Sequence, residues 1–185
     1  MTKTMKITIS ALFTAVLAIL AQIQIPIQPV PFSLTLFAVY LTGIVLPPLC
    51  AFGSVLAYLI LGGFGVPIFA GMIGGPAVLF GPTGGYKIGY IFVALIVSVG
   101  IHIFCKNSDS KIRFAIFAVV SMLIGLTVCY LFGTIWFVIT SDAKLSYAMK
   151  VCVYPFIPFD LLKILIAAIA GLAIKPVLKK TKLFE

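Results

Sequence analysis

The feature that most restricts the fold is a series of long apolar runs, and most of the charged residues fall outside these runs. Six such runs can be delimited, at about residues 7–25, 32–46, 49–61, 85–104, 114–139 and 159–178. Hydrophobic residues make up 63% and charged residues 9% of the chain, whereas soluble domains average roughly 45–50% and 25%. The pattern predicts an all-α integral membrane protein, a single membrane domain with six transmembrane helices.

The basic residues predict how these helices are oriented. They collect on one side of the six runs, at Lys3, Lys6, Lys106, Lys111, Arg113, Lys175, Lys179, Lys180 and Lys182. The positive-inside rule makes that side cytoplasmic, so we expect both termini to be cytoplasmic. The net charge of +9 does not indicate nucleic-acid binding, because the basic residues form no patch with interleaved aromatics.

A glycine-rich segment at residues 62–84 separates the third predicted helix from the fourth. Its glycines are interleaved with phenylalanine, isoleucine and valine, so it is too apolar for a solvated linker. The helices predicted before it, at residues 32–46 and 49–61, would span only about 22 and 20 Å of a hydrocarbon core about 30 Å thick. We therefore expect a folded capping loop on the extracellular side, packed against protein or lining a cavity. Lys87, just beyond this loop, either adds a cation to the rim of a site or reaches into water.

One acid and one base stand close together where the last apolar run begins. Asp160 and Lys163 are three positions apart and share a face of the predicted helix. Each ionised side chain costs about 2.5 to 3.5 kcal/mol at membrane depth on insertion scales. The helix dipole could favour Asp160 while Lys163 reaches back toward water, but a lysine near the positive end of a helix opposes the dipole. A polar ligand with an anion and hydrogen-bonding groups would compensate both charges.

Catalytic and metal-binding motifs are not evident in the sequence. The four cysteines have no C-x-x-C spacing, and there is no nucleophile elbow, phosphate loop or H-E-x-x-H motif. We therefore expect neither an enzyme nor a bound metal or cofactor. A purely structural membrane subunit would not need a charged pair facing a glycine-rich cap. A proton-coupled carrier that uses Asp160 as its titrating group stays an alternative.

Small side chains form a stripe on the first predicted helix. Ala11, Ala15 and Ala18 fall at i, i+4 and i+7, on one face of that helix. In lipid, such faces let another helix approach closely, because packing replaces the hydrophobic drive for association. The periodicity fits a partner helix inside this chain and one from a different protein equally well.

Four motifs, taken together, resemble a known family of membrane transporters. They read PVPFSLT at residues 29–35, VPIFAG at 66–71, GPTGGY at 81–86 and PFIPFDLLK at 155–163. The combination is similar to the biotin-specific S component of energy-coupling-factor transporters, and the resemblance covers nearly the whole chain. Phe159 departs from the family pattern, in which glycine is frequent at this position. The alanine stripe also resembles the surface by which S components dock on their transmembrane T component.

The resemblance implies a substrate-binding subunit in the cell membrane that captures biotin from outside. Energy would come from a T component and two ATPase subunits on other chains. The ligand would contact Asp160, Lys163, Tyr86, Phe32, Thr35 and the backbone near Gly75. Asp160 can accept hydrogen bonds from the ureido N–H groups of biotin. Lys163 can either pair with the ligand carboxylate or hold Asp160 in place, and the sequence leaves both roles open.

Overall fold

A computed structural model describes residues 3–25, 32–105 and 110–180, with side chains as far as residue 176. The helices are α1 (Lys3–Ala21), α2 (Thr35–Val45), α3 (Pro48–Gly63), α4 (Pro76–Phe80), α5 (Gly84–Cys105), α6 (Lys111–Ser141), α7 (Leu145–Cys152) and α8 (Ile157–Lys180). A short antiparallel ribbon follows α1 and is formed by β1 (Gln24–Ile25) and β2 (Phe32–Ser33). Lys106, Lys182 and the first three residues of the PVPFSLT motif lie outside the described residues.

Four of the described helices are long and apolar enough to cross a membrane: Lys3–Ala21, Gly84–Cys105, Lys111–Ser141 and Ile157–Pro176. The apolar helices α2 and α3 are shorter, with 11 and 16 residues, and about 20 are needed to span the hydrocarbon core alone. The prediction of an all-helical, multi-pass membrane protein is confirmed. The count of six spans stays a prediction.

Some element bounds differ from those predicted. α1 begins at Lys3 and ends at Ala21, four residues earlier at both ends, because lysine is a good helix former and the leading basic residues join the helix. Phe32 does not open α2 but lies in β2, where it pairs with Ile25. α7 has no counterpart among the predicted helices, since its eight residues are too few to register as an apolar run.

The short helix α2 lies at the centre of the bundle. Nine of its eleven residues are buried, and it packs against α1, α3, α5 and α8. Longer helices rather than lipid therefore cover most of α2. This explains how so short an apolar helix is accommodated at membrane depth, where its ends need protein partners.

The capping segment, residues 64–83, is folded, and α4 within it packs against α3 and α5. Phe69 is fully buried, and its ring meets Tyr58 edge-on with 5.3 Å between the ring centroids. The ring also covers Gly62, where any Cβ would collide with it. Gly71 and Gly75 have φ angles of 87° and 106°, which glycine adopts at no steric cost. Close packing and these two turns together hold the segment against the helices.

Candidate ligand-binding site

A buried ion pair on α8 forms one part of the candidate site. Asp160 lies in the first turn of α8, and its Oδ1 is 2.8 Å from the Nζ of Lys163. The phenol of Tyr130, on α6, donates to Oδ2 at 2.6 Å. Asp160 is 3% and Lys163 is 7% exposed. The two charges therefore compensate each other where either one alone would be costly.

An aromatic cluster covers one side of this ion pair. The Nζ of Lys163 is 4.4 Å from the ring centroid of Phe32, within cation–π range. Phe32 also stacks on Phe156 and meets Phe159 edge-on, with centroid separations of 5.7 and 4.5 Å. The β1–β2 ribbon thus positions Phe32 over the ammonium group, and Phe159, where the sequence departs from the pattern that the resemblance implies, adds another ring.

The ion pair borders a cavity that contains about 430 Å³ of space not filled by atoms, part of it open to solvent. The lining residues are Ser33, Leu36, Tyr86, Tyr90, Cys129, Tyr130, Cys152, Phe156, Asp160 and Lys163. Three tyrosines supply ring surface as well as hydroxyl groups. Mostly apolar walls with a few fixed polar groups are typical of sites for small ligands.

A second cavity adjoins the first, because Ser33, Tyr86 and Tyr90 line both. It contains about 360 Å³ of unfilled space and is lined by Ser33, Thr35, Tyr58, Ala70, Thr83, Tyr86, Lys87 and Tyr90. The Nζ of Lys87 donates to the Thr83 hydroxyl at 3.0 Å. Within the described residues no carboxylate forms an ion pair with Lys87. The two cavities together, here called the cleft, hold one neutralised charge pair and one further cation.

Of the other predicted ligand residues, Tyr86 and Thr35 line the cleft and Gly75 does not. Tyr86 lines both cavities, and its hydroxyl forms a 2.9 Å hydrogen bond with that of Thr134. Thr35 is buried and lines the second cavity. Gly75 does not line either cavity, and its N–H donates to the Gly62 carbonyl at 2.7 Å. In the structure Gly75 shapes the capping segment.

Tyr90 and Tyr130 are among the cleft residues that are missing from the sequence predictions. Tyr90 follows Tyr86 by four positions, so the helical period could have placed both on one face. Tyr130 lies 30 residues before Asp160, and only the packing of α6 against α8 brings them together. No local pattern in the sequence identifies such a contact.

The alanine stripe of α1 lies beside the contact between α1 and α3. That contact includes a hydrogen bond from the Thr14 hydroxyl to the Ser54 carbonyl at 3.0 Å. Ala11 and Ala15 are exposed, whereas Ala18 is half-buried and packs against the core of this chain. Two of the three alanines are therefore accessible to a helix from another protein.

An open groove runs between α1 and α3 alongside these alanines. Most of its lining side chains are small, and the set is Lys6, Ile7, Ser10, Ala11, Thr14, Leu49, Cys50, Gly53 and Ala57. A Cβ on Gly53 would meet no atom within 4 Å, so packing inside this chain does not require glycine there. Glycine inside a helix costs about 1 kcal/mol relative to alanine. A closely approaching partner helix would account for it.

Fold and cleft together define a multi-pass membrane protein with a mostly apolar cleft between its helices, in which a few polar and charged side chains are fixed. The chain belongs to the BioY family, whose model matches residues 1–180. It is 34% identical over 181 residues to the biotin transporter BioY2 of Lactococcus lactis subsp. cremoris, covering 97% of this chain and 95% of that protein. It is 38% identical over 167 residues to the probable biotin transporter BioY of Pyrococcus horikoshii, with coverages of 90% and 94%.

A solved structure shares the fold. It is the crystal structure of the S-component for biotin from an ECF-type ABC transporter, with a TM-score of 0.83, 28% sequence identity and 95% of each chain covered. The resemblance indicated by the four sequence motifs is therefore confirmed.

Proposed function

We propose that this chain is the substrate-specific subunit, or S component, of an ATP-driven energy-coupling-factor transporter, and that its ligand is biotin. The cleft carries the proposal, because it places a buried acid–base pair and a separate lysine around a tyrosine-lined space. Biotin has matching parts, namely a hydrogen-bonding ureido group, an apolar bicycle and a carboxylate on a flexible chain. Membership of the BioY family and the fold of an S component for biotin support the same assignment. Such a subunit is part of a transporter and is not an enzyme.

The contacts in the cleft favour one orientation of the ligand. An ionised carboxylate has about four lone-pair sites, and Lys163 and Tyr130 each engage one oxygen of Asp160. Acceptor capacity is left for the ureido N–H groups. Lys163 is already paired with Asp160, which favours a role in positioning that carboxylate. Lys87 forms no ion pair within the described residues, so it is the better candidate to bind the ligand carboxylate. The other proposed ligand contacts are with Tyr86, Phe32 and Thr35, whereas the predicted contact near Gly75 is not retained, because Gly75 lines neither cavity.

Two lysine variants and two ligands test this proposal. The purified wild-type chain should bind biotin, and should bind the uncharged biotin methyl ester about tenfold or more weakly, because a charge-assisted contact is lost. Lys87→Met should weaken biotin binding by a similar factor and leave binding of the ester unchanged. Lys163→Met should weaken both ligands alike, because both need Asp160 in position. Isothermal titration calorimetry of each protein with each ligand gives the comparison.

Lys144→Met is a control for the general electrostatic field, since Lys144 is exposed, and it should change neither affinity. A wild-type chain that does not bind biotin would contradict the proposed function. Equal affinity of Lys163→Met for the acid and the ester would instead indicate that Lys163 pairs with the ligand carboxylate in the wild-type chain.

We also propose that α1, α2, α3, α5, α6 and α8 are the six spans, with both termini cytoplasmic. Basic residues at the start of α1, the start of α6 and the end of α8 support this orientation. A cysteine reporter at Ser110 should react with an impermeant thiol reagent only from inside, and one at Ser146 only from outside. The four natural cysteines are buried and give a low background. The reverse labelling pattern would refute the topology and the outward-facing cleft.

The proposed partners are a transmembrane T component and two ATPase subunits, with the T component docking on the exposed alanines of α1. The alternative of a proton-coupled carrier is not favoured, because the fold is shared with an S-component of an ABC transporter. That alternative would require transport by this chain alone.

A further inference from the structure

The side chain of Gln22 joins the end of α1 to the capping segment. Its Nε2 donates to the carbonyl oxygens of Ile68 and Phe69 at 3.0 and 3.3 Å, and its Oε1 accepts from the backbone N–H of Met72 at 2.9 Å. Nε2 also donates to the Ala18 carbonyl at 3.0 Å, which fixes the carboxamide relative to its own helix. One side chain thus hydrogen-bonds three backbone groups of a segment that lies 46 to 50 residues further along.

The anchored stretch contributes to the wall of the cleft. Ala70 lies between the three anchored residues and lines the second cavity. The ring of the buried Phe69 is 5.8 Å from the Nζ of Lys87, measured to the ring centroid. Without the bonds to Gln22, the backbone at residues 68–72 would be held by the packing of Phe69 and by its turns alone, and we expect the wall of the cleft near Lys87 to loosen.

The same end of α1 holds another wall of the cleft. The Ile23 carbonyl accepts from the backbone N–H of Leu34 at 3.0 Å, and Gln24 pairs with Ser33 in the β1–β2 ribbon. Ser33 lines both cavities. The residues just after α1 therefore contact two walls of the cleft.

We propose that Gln22 is a positioning residue whose hydrogen bonds hold the capping segment closed over the cleft. Gln22 does not line either cavity, so it acts through the segment and not on the ligand. The identity of the ligand rests on the proposed function, whereas the closing contact does not.

Gln22→Leu tests this role, because it removes the three hydrogen bonds and keeps a side chain of similar bulk. We expect biotin to dissociate from the purified subunit about tenfold faster or more. Amide hydrogen exchange at residues 66–73 of the ligand-free protein should rise too. Gln22→Glu keeps the acceptor for Met72 but sets a carboxylate oxygen against the Ile68 and Phe69 carbonyls, so its dissociation rate should rise at least as much. Thr140→Val removes a hydrogen bond made within α6 and should leave both measurements unchanged.

A solely architectural role for Gln22 gives a different result. It would lower the thermal stability of the ligand-free protein and leave the dissociation rate of biotin unchanged, which would overturn the proposal. Unchanged exchange at residues 66–73 in Gln22→Leu would overturn it as well. Raised exchange in the variant, with a wild-type chain that fails to bind biotin, would support the closing contact and reject the proposed ligand.

Discussion

Asp160→Asn and Lys163→Met should each weaken biotin binding by about a hundredfold or more. Either change removes one member of a buried ion pair whose charged atoms are 2.8 Å apart. Breaking a buried pair in this way costs about 3 to 5 kcal/mol, because the remaining charge is left uncompensated. This free energy is lost from ligand binding when the remaining charged side chain is no longer held in position to contact the ligand. Calorimetric titration of the purified variants measures it.

Lys150→Met is the matched control, because Lys150 is exposed on α7, and it should retain nearly the wild-type affinity. The double variant Asp160→Asn with Lys163→Met separates two explanations. Recovered affinity would mean that the two charges serve only to neutralise each other. Continued weak binding would mean that Asp160 accepts hydrogen bonds from the ligand. Near-native affinity in both single variants would restrict the pair to stabilising α8.

Ala11→Leu and Ala15→Leu should reduce ATP-driven biotin uptake by about tenfold or more, the factor that corresponds to 1.4 kcal/mol of lost association energy. Both alanines are exposed, and a leucine would fill the space that a partner helix needs. Close packing is the main attraction between helices in lipid, so docking should weaken. Copurification with the T component should fall together with uptake. Biotin binding by the isolated subunit should be retained.

Ala173→Leu is the corresponding control, because Ala173 is exposed on α8, and it should alter neither uptake nor binding. A loss of biotin binding in step with uptake would show that the alanines of α1 pack inside this chain. Unchanged uptake in both α1 variants would remove α1 from the docking surface. Uptake by this chain alone that a protonophore abolishes would indicate the proton-coupled carrier.

The pairing of Asp160 with Lys163 could be predicted because it depends on one helix. Residues three positions apart share a helix face whatever the remainder of the fold is, and the structure places their charged atoms in contact. Tyr130 could not be predicted in the same way, because its bond to Asp160 depends on how α6 packs against α8. Hydropathy likewise assigns Phe32 to a helix, whereas the backbone pairing of the ribbon places it beside Lys163.

The capping segment, too, could be predicted only in part from the sequence. Its apolar and glycine-rich composition predicts a folded piece of chain, since such a sequence is unsuited to free solvent. The burial of Phe69 over Gly62 and the anchoring by Gln22 depend on which backbone groups meet across the fold. Glycine content indicates that close approach is possible, but it does not identify the approaching group.

The empty cleft carries one net positive charge, because Asp160 and Lys163 cancel each other and Lys87 has no acidic partner within the described residues. A ligand with a single carboxylate brings this total to zero. The transmembrane voltage does work of about 2.3 kcal/mol on each elementary charge per 100 mV. A neutral, loaded cleft can therefore change its depth in the membrane without electrical work, whereas the empty cleft cannot. On the proposed function, the cleft itself would therefore add voltage dependence to the return of the empty subunit and none to the delivery of the ligand.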